Sequence, residues 1–401
     1  MDFSATNLVL WNAMVQLGIL AGIMLFANIL RRKVAFFRIS LIPTAVLAGF
    51  IGLILRVTNL LPIDGALMEM ITYHTIAIGF IALSLQVSDG HEDIQKGDYT
   101  PAKSGALIVS TYLLQGLVGL SVSIGLAYTI MPDFFKAAGI LLPMSYGQGP
   151  GQANNIGSTY ESLGFVGGQS FALSIAAMGF LVAYVVGVFY LNVLKKRGMI
   201  TGGDHGIISG SVTLSDFQSK NEIPISESID RFSIQFALVL LIYLATYLVS
   251  LGLTTLLATY LPGLSGTLSS LIWGFNFIIG ALLAIILRSV LQGLTKAKVM
   301  TRQYPNNYLL SRISGLAFDL MVVAGIAAIN WEDLSGLWLP FVLMAGFGGT
   351  VTHYYLKWLC NRLYPGYAHE GMLSMFGMLT GTISSGVLLL REIDPNFRTP
   401  A

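Results

Sequence analysis

A short segment between two apolar stretches carries the residues best suited to binding a polar solute. Residues 145–158 read SYGQGPGQANNIGS, which combines four glycines and a proline with hydroxyl and amide side chains. Amides and hydroxyls supply hydrogen-bond donors and acceptors without the cost of burying a charge, and glycine lets the backbone approach a solute closely. The predicted substrate contacts in this segment are Ser145, Gln148, Gly149, Gly151, Gln152, Asn154 and Asn155.

A second glycine-rich segment, GMLTGTISSGV at 377–387, carries hydroxyls in place of amides. Hydroxyl and carbonyl oxygens are hard ligands, which suit an alkali cation such as Na⁺. We therefore predict Na⁺ contacts and further substrate contacts in this segment. The Na⁺ contacts are Thr380 and Gly381, and the substrate contacts are Thr382, Ser384 and Ser385.

One arginine follows the second segment closely. Arg391 is predicted to hold a carboxylate of the substrate, because a guanidinium group binds a carboxylate with two parallel hydrogen bonds. The alternative is an arginine at the membrane interface, paired with Glu392 or Asp394.

Two further polar residues lie inside apolar runs. Asp319 is a predicted ligand of Na⁺ or of a substrate amine, because a charge at the centre of a membrane helix costs roughly 2.5–3.5 kcal/mol and is rarely kept without a function. A structural pair with Arg312 is the alternative. Asn276 is another predicted Na⁺ ligand, with a hydrogen bond between helices as the alternative.

The composition indicates a membrane protein with several helical spans. Of the 401 residues, 54% are hydrophobic and only 10% are charged, whereas soluble domains carry about 25% charged residues. The net charge of +2 lacks the basic excess of a nucleic-acid-binding protein. The single cysteine, Cys360, excludes an intramolecular disulfide framework. The apolar runs lack HExxH, paired aspartates and a Ser–His pair, so we predict no enzymatic activity.

Nine apolar runs of suitable length predict helices that cross the bilayer in an all-α polytopic fold. They lie at 9–30, 39–61, 70–87, 104–131, 165–194, 232–260, 266–291, 308–329 and 335–360. Two further segments, 137–161 and 370–390, are apolar at their edges but interrupted by Gly, Pro, Ser, Thr and amide residues.

Lysine and arginine cluster in loops that the positive-inside rule assigns to the cytoplasm, which puts the N-terminus outside. If 137–161 crossed the bilayer, the cluster after the fifth span would move outside, so we predict a re-entrant hairpin at 137–161. The clusters are Arg31, Arg32, Lys33 and Arg38; Lys195, Lys196 and Arg197; and Arg288, Lys296, Lys298, Arg302 and Arg312.

A hydrophilic linker, 195–231, divides the chain into two comparable repeats, 1–194 and 232–401. Each has four spans followed by an interrupted segment, and the two repeats start on opposite sides of the membrane. Such interrupted segments in inverted repeats indicate the substrate site of a secondary transporter. The second repeat stops at Ala401 just after the hairpin at 370–390, so its last span is absent, and truncation is the favoured explanation.

Several motifs together carry a resemblance to a known family. The second span has a proline-led IPxxVxxG pattern at Ile42, Pro43, Val46 and Gly49, and GQGPGQA, ESLGF and GMLTGTISSGV follow at 147–153, 161–165 and 377–387. In these motifs the chain resembles the bacterial glutamate:sodium symporter family. The hairpin positions carried over are Gly147, Gln148, Gly149, Gly151, Gly381, Thr382, Ser384, Ser385 and Gly386. Two departures are Gln148 in place of a histidine and Ile-Ser-Ser in place of Thr-Pro-Thr.

The resemblance implies inverted five-span repeats, two hairpins that reach the middle of the membrane, a homodimer and an elevator-type movement. The first, second, sixth and seventh spans would form the dimerising scaffold. We expect Na⁺-coupled symport of a small anionic solute such as glutamate in a bacterial inner membrane, with no cofactor besides the coupling ion. The alternatives are a di- or tricarboxylate or H⁺-coupled transporter of the same architecture, and a non-transporting sensor or scaffold.

Overall fold

The computed structural model describes residues 7–39, 41–87, 100–197, 199, 231–300, 304–394 and 399, and all regular secondary structure within them is helical. Short 3₁₀ turns at Lys136–Ile140 and Glu332–Leu334 accompany the α-helices. The α-helices are α1 (Leu8–Lys33), α2 (Ala35–Ile39), α3 (Thr44–Val57), α4 (Gly65–Ser84), α5 (Thr100–Thr129), α6 (Leu141–Tyr146), α7 (Pro150–Ser162), α8 (Gly168–Lys196), α9 (Arg231–Tyr260), α10 (Pro262–Gly274), α11 (Asn276–Lys296), α12 (Asn307–Ala327), α13 (Trp338–Leu363), α14 (Ala368–Thr380) and α15 (Ile383–Arg391).

Seven of these helices are long and apolar enough to cross a membrane, namely α1, α4, α5, α8, α9, α11 and α12. A helix needs about 20 apolar residues to cross the hydrocarbon core of a bilayer. The chain is therefore a multi-pass, all-α membrane protein, which confirms the predicted fold class at this level.

Three of the nine predicted spans differ from a single long apolar helix. The second, 39–61, contains the 14-residue α3, because Pro43 precedes its first turn and Asn59, with a φ of 54°, follows its last. The seventh is divided between α10 and α11 at Phe275. The ninth corresponds to α13, which is 26 residues long but carries histidine, lysine, asparagine and arginine in its C-terminal half and is not among the seven.

The helices form two compact units. The first comprises residues 1–72, 97–205 and 322–401, and the second comprises 73–96 and 206–321. Each unit takes segments from both predicted repeats. The first two predicted spans and both interrupted segments belong to the first unit, and the sixth and seventh spans belong to the second. Most of the predicted linker lies outside the described residues.

Several helices of the first unit approach one another closely at glycines. A Cβ atom on Gly119 of α5 would lie 2.0 Å from the carbonyl oxygen of Gly139. One turn further along α5, the hydroxyl of Ser123 donates to the carbonyl of Lys136 at 2.6 Å and accepts the Gly139 N–H at 3.2 Å. The 3₁₀ turn is therefore held backbone against backbone on α5, as small residues allow in membrane proteins.

The second unit has its own apolar core, to which α4, α9, α11 and α12 contribute. Phe80 of α4 packs against Phe277 and Phe318, with ring centroids 5.1 and 5.5 Å apart. The buried residues of this core are Ile81, Ala82, Leu85, Val239, Ile242, Ala284, Leu310 and Ile313.

Replacing Gly119 tests the backbone contact on α5. In Gly119→Ala the added methyl group would occupy the position of the Gly139 carbonyl, so we expect a loss of stability of about 1–3 kcal/mol and a lower melting temperature of the purified protein in detergent. Gly125→Ala on the same helix is the matched control, because no atom lies within 4 Å of its added Cβ. Equal melting temperatures for the two variants would contradict this packing.

Candidate functional site

The first interrupted segment begins with the 3₁₀ turn and continues as α6 and α7, which are separated at Gly147–Gly149. Gly149 has a φ of 79°, a conformation that residues with a side chain rarely adopt. Pro150 then begins α7, at a position where its missing N–H would have had no helical partner. Glycine and proline thus end one helix and start the next within three residues.

Aromatic contacts join the start of this segment to its end. Phe135, just before the 3₁₀ turn, stacks on Phe165 with ring centroids 5.3 Å apart and an interplanar angle of 5°, and it also contacts Tyr160 of α7. Phe134 makes an edge contact with Phe165. The chain therefore returns to where it started, and residues 136–162 form a hairpin, called hairpin 1, whose tip is the glycine break.

The second interrupted segment is also a hairpin. A Cβ on Gly377 of α14 would lie 2.8 Å from the Cα of Gly386, although nine residues of continuous helix would separate these residues by about 13 Å. A Cβ on Gly386 would lie 2.4 Å from the carbonyl oxygen of Ser374. Helices α14 and α15 therefore pack side by side in opposite directions as hairpin 2, and its tip is Gly381–Thr382.

Helix α5 shows how far hairpin 1 extends. Ser123 of α5 binds the start of the hairpin through its hydrogen bond with Lys136, and the hydroxyl of Tyr112 donates to the carbonyl of Gly147 at the tip, at 3.1 Å. Ser123 and Tyr112 are separated by eleven residues, or about 16 Å along the helix. Hairpin 1 thus runs along α5 from near its C-terminal end to its middle.

Hairpin 2 runs along the same helix from the opposite end. Ser104 of α5 is hydrogen-bonded to the hydroxyl of Tyr364, which precedes α14, at 2.8 Å. Gln115 donates through Nε2 to the carbonyl of Leu379, next to the tip, at 2.9 Å. Ser104 and Gln115 are also eleven residues apart, so hairpin 2 extends about 16 Å along α5 as well.

The two tips meet beside the middle of α5. A Cβ on Gly149 would lie 3.2 Å from the methyl carbon of Thr382 and 3.5 Å from the carbonyl oxygen of Gly381. A side chain at Gly149 would therefore meet the other tip, so the two tips lie next to each other. The structure therefore brings together the two segments that were predicted to bind solute and cation, although they come from opposite halves of the chain.

Gln152, in the first turn of α7, is a predicted contact whose polar atoms have no partner among the described residues. Its side chain is 1% exposed, and neither Nε2 nor Oε1 makes a hydrogen bond. Leaving a buried polar group unpaired costs about 1–3 kcal/mol. A buried amide with both a donor and an acceptor available, three residues from Gly149, indicates a ligand site.

Each tip is followed directly by the N-terminus of a helix, α7 at Pro150 and α15 at Ile383. The first N–H groups of a helix have no partner within it, and the helix dipole adds partial positive charge there. Two helix N-termini at neighbouring tips, together with Gln152, favour the binding of an anionic or strongly polar group. Gln148, within the tip of hairpin 1, is partly exposed and adds an amide at the same place.

Other predicted contacts have partners within the protein. The hydroxyl of Ser145 donates to a backbone carbonyl of α8 at 2.8 Å, and Oδ1 of Asn154 accepts a hydrogen bond from Gln169 at 2.8 Å. The hydroxyl of Thr380 donates to a carbonyl one turn earlier at 2.6 Å. A hydroxyl that donates keeps its lone pairs, so Thr380 remains available to a cation. Three further predicted contacts, Gly151, Asn155 and Ser385, are buried in α7 and α15.

Two residues at the tips were not predicted from the sequence. Gln115 donates to Leu379 and, at 3.0 Å, to Thr352, while its Oε1 is buried without a partner. Tyr184 of α8 has a buried hydroxyl that lies beside Ser385 without a hydrogen bond of normal geometry. A lone amide in an apolar run was the available signal for Gln115, whereas nothing distinguishes Tyr184 among the 17 tyrosines of the chain.

Three predicted residues lie elsewhere. Arg391 is the last residue of the nine-residue α15, so its Cα lies about 12 Å along the helix from the tip of hairpin 2. Because residues 383–391 form one helix, Arg391 lies at the end of α15 that is far from the tips. The residue predicted to bind a carboxylate of the substrate is therefore separated from the tips. Asn276 and Asp319 belong to the second unit. Asp319 is exposed there, and Arg312 lies over a tyrosine ring, 4.9 Å from its centroid.

No protein-family model, curated protein or solved structure matches the chain. The resemblance to the glutamate:sodium symporter family therefore remains a prediction from the motifs quoted above.

Two glutamine-to-leucine substitutions should affect stability differently. Gln115→Leu removes the hydrogen bonds to hairpin 2 and leaves the buried carbonyl of Leu379 unpaired, so we expect a loss of about 1–3 kcal/mol. Gln152→Leu replaces an unpaired buried amide by an apolar side chain of similar size, so we expect an equal or higher stability. Thermal unfolding in detergent without added solute measures both. An equally large loss in Gln152→Leu would show that Gln152 has partners within the protein.

Proposed function

We propose that the protein is a secondary active transporter that moves a small anionic solute, such as glutamate, together with Na⁺. The observation that carries this proposal is the close approach of the two hairpin tips, one of which is followed in α7 by the buried, unpaired Gln152. Irregular backbone at membrane depth is tolerated only where it is buried in protein or lines a cavity. Paired interruptions of this kind are typical of the substrate sites of secondary transporters.

In this proposal the anionic group of the solute binds at the N-termini of α7 and α15. Two helix dipoles and several unpaired N–H groups compensate a negative charge without a cationic side chain. Gln152 and Gln148 bind the remaining polar groups of the solute through their amides. The position of Arg391 at the far end of α15 makes the N–H groups, and not a guanidinium group, the main partners of the anion.

The coupling ion binds beside the solute through oxygen ligands of hairpin 2 and α5. Thr380 and Gly381 supply hydroxyl and carbonyl oxygens, and the unpaired Oε1 of Gln115 adds an amide oxygen. One Na⁺ with a singly charged anion is electroneutral. Each further positive charge that crosses with the solute gains about 2.3 kcal/mol per 100 mV of membrane potential, which corresponds to roughly forty-fold accumulation of the solute.

The membrane arrangement completes the proposal. Because the hairpins run along α5 from its opposite ends, we propose that they are re-entrant from opposite faces of the membrane. The charge pattern supports an external N-terminus, and the family resemblance supports inverted repeats, a homodimer and elevator-type movement in a bacterial inner membrane. The proposed activity is transport and not an enzymatic reaction.

Uptake into proteoliposomes tests coupled transport. We expect an inward Na⁺ gradient to drive accumulation of labelled glutamate, and replacement of Na⁺ by choline to abolish it. Labelled citrate and an inward H⁺ gradient test the alternative transporters of the same architecture. Counterflow of solute without an ion gradient distinguishes a carrier from a channel. Absence of uptake and counterflow for all of these anions would contradict the transport proposal and leave a sensor or scaffold.

The same assay tests the role of Gln152. Because Gln152→Leu removes the donor and the acceptor next to the tips, we expect its initial uptake rate to fall at least tenfold while its melting temperature is kept. Asn192→Leu is the matched control, because Asn192 is an exposed amide on α8, and it should transport at the normal rate. Unchanged uptake by Gln152→Leu would remove the tip of hairpin 1 from the substrate site.

Labelling from the two sides of the membrane tests the hairpins themselves. In a Cys360→Ser background, Lys136→Cys and Leu163→Cys lie at the two ends of hairpin 1, so both should react with an impermeant maleimide from the outside. Pro365→Cys, which precedes hairpin 2, should react only from the cytoplasmic side. Reaction of Lys136→Cys and Leu163→Cys from opposite sides would mean that this segment crosses the membrane.

A further inference from the structure

The second unit contains a pocket of about 500 Å³ bordered by α4, α9, α10 and the start of α11. Its walls are largely aromatic and come from Tyr73, Tyr243, Tyr247 and Trp273. The volume lies in the range of small-molecule sites. Three of the four bordering helices, α4, α9 and α11, are apolar enough to cross a membrane, so a ligand would reach the pocket from the lipid.

Two buried oxygen atoms at this pocket have no hydrogen-bond partner in the part of the chain that the structure describes. Asn276 is 3% exposed and its Oδ1 is unpaired, and Ser250 is fully buried with an unpaired hydroxyl. The hydrocarbon core of a bilayer contains no water that could form hydrogen bonds with such groups. Leaving either group unpaired therefore costs free energy. Both residues line the same pocket, so a ligand that pairs with both would remove this cost.

Four other polar residues of the pocket are paired within the unit. The hydroxyl of Tyr73 donates to the carbonyl of Trp273 at 2.8 Å, and His74 and Tyr243 are joined by a hydrogen bond of 2.5 Å. The hydroxyl of Thr246 donates to a carbonyl one turn earlier on α9 at 2.8 Å. The buried polar atoms of the pocket that are left unpaired are therefore the amide oxygen of Asn276 and the hydroxyl of Ser250.

The lining also limits the charge and the shape of the ligand. Among the described residues of the pocket there is no aspartate, glutamate, lysine or arginine, so a charged ligand would have no counter-ion in an apolar setting. Tyr247 and Trp273 lie 5.8 Å apart at an interplanar angle of 46°. Such aromatic walls pack best against a flat ring.

We propose that this pocket binds a neutral, lipid-soluble ring alcohol or phenol. The hydroxyl of the ligand donates a hydrogen bond to Oδ1 of Asn276 and accepts one from the hydroxyl of Ser250. Both unpaired oxygens then have a hydrogen-bond partner. Neither oxygen is accessible to solvent in the structure, so binding requires an aromatic side chain to move. Tyr247, which is 50% exposed, is a lining ring with room to do so. The proposal is independent of the transport activity.

To test the proposal, the full chain in lipid nanodiscs is titrated with 4-octylphenol, and binding is followed by tryptophan fluorescence. We expect saturable binding of the phenol. We also expect at least tenfold weaker binding of 4-octylanisole, which has the same ring and chain but no donor. Equal affinity of the anisole, absence of saturable binding, or tighter binding of octylammonium would each overturn the proposal.

Three variants locate the site. Asn276→Leu removes the acceptor at similar volume and should weaken phenol binding at least tenfold, with little effect on the anisole. Ser289→Ala, an exposed serine of the same helix, is the matched control and should bind normally. Trp273→Phe should lose the fluorescence response although four other tryptophans remain in the chain. Unchanged binding by Asn276→Leu, or a retained response in Trp273→Phe, would place the phenol elsewhere and overturn the assignment.

Discussion

The constraint that shapes the first unit is the cost of interrupting a helix in an apolar environment. Every break frees peptide N–H and C=O groups, and each costs several kcal/mol if it faces lipid. Helix α5 supplies partners for both breaks. Tyr112 donates to the carbonyl of Gly147 in one tip, and Gln115 donates to the carbonyl of Leu379 beside the other. A single helix thus stabilises two irregular segments from opposite ends, and the tips are therefore placed at the same depth along it.

Close packing of the hairpins depends on small residues as well as on buried apolar side chains such as Tyr146 and Phe376. Gly119 meets Gly139, and Gly377 meets Gly386, at distances that leave no room for a Cβ. In lipid, where apolar side chains gain little from leaving the solvent, such backbone contacts are a main source of helix association. Glycines that predict interrupted helices in the sequence are therefore also residues that let the hairpins pack closely.

The sequence was informative where a physical rule is local. Gly149 and Pro150 mark a helix break by their own backbone preferences, and the apolar runs mark the membrane helices. The sequence was less informative about interactions between residues that are distant along the chain but close in the fold. Gln115 acts on a carbonyl 264 residues away, which no pattern along the chain reveals. Arg391 looked close to the predicted site because it is close in sequence, but a helix of nine residues puts it at the other end of hairpin 2.

The tips approach each other without hydrogen bonds, whereas hydrogen bonds hold each hairpin to α5. A Cβ on Gly149 would lie 3.2 Å from the methyl carbon of Thr382 and 3.5 Å from the carbonyl oxygen of Gly381, and among the described residues no hydrogen bond joins one tip to the other. The hairpins, in contrast, are each tied to α5 by hydrogen bonds, at the tip of hairpin 1, at the start of hairpin 1 and beside the tip of hairpin 2. A dispersion contact between a few atoms is worth only about 0.1–0.2 kcal/mol per pair. Parting the tips would therefore cost far less than detaching either hairpin, and a solute bound between them would add the polar contacts that the tips lack.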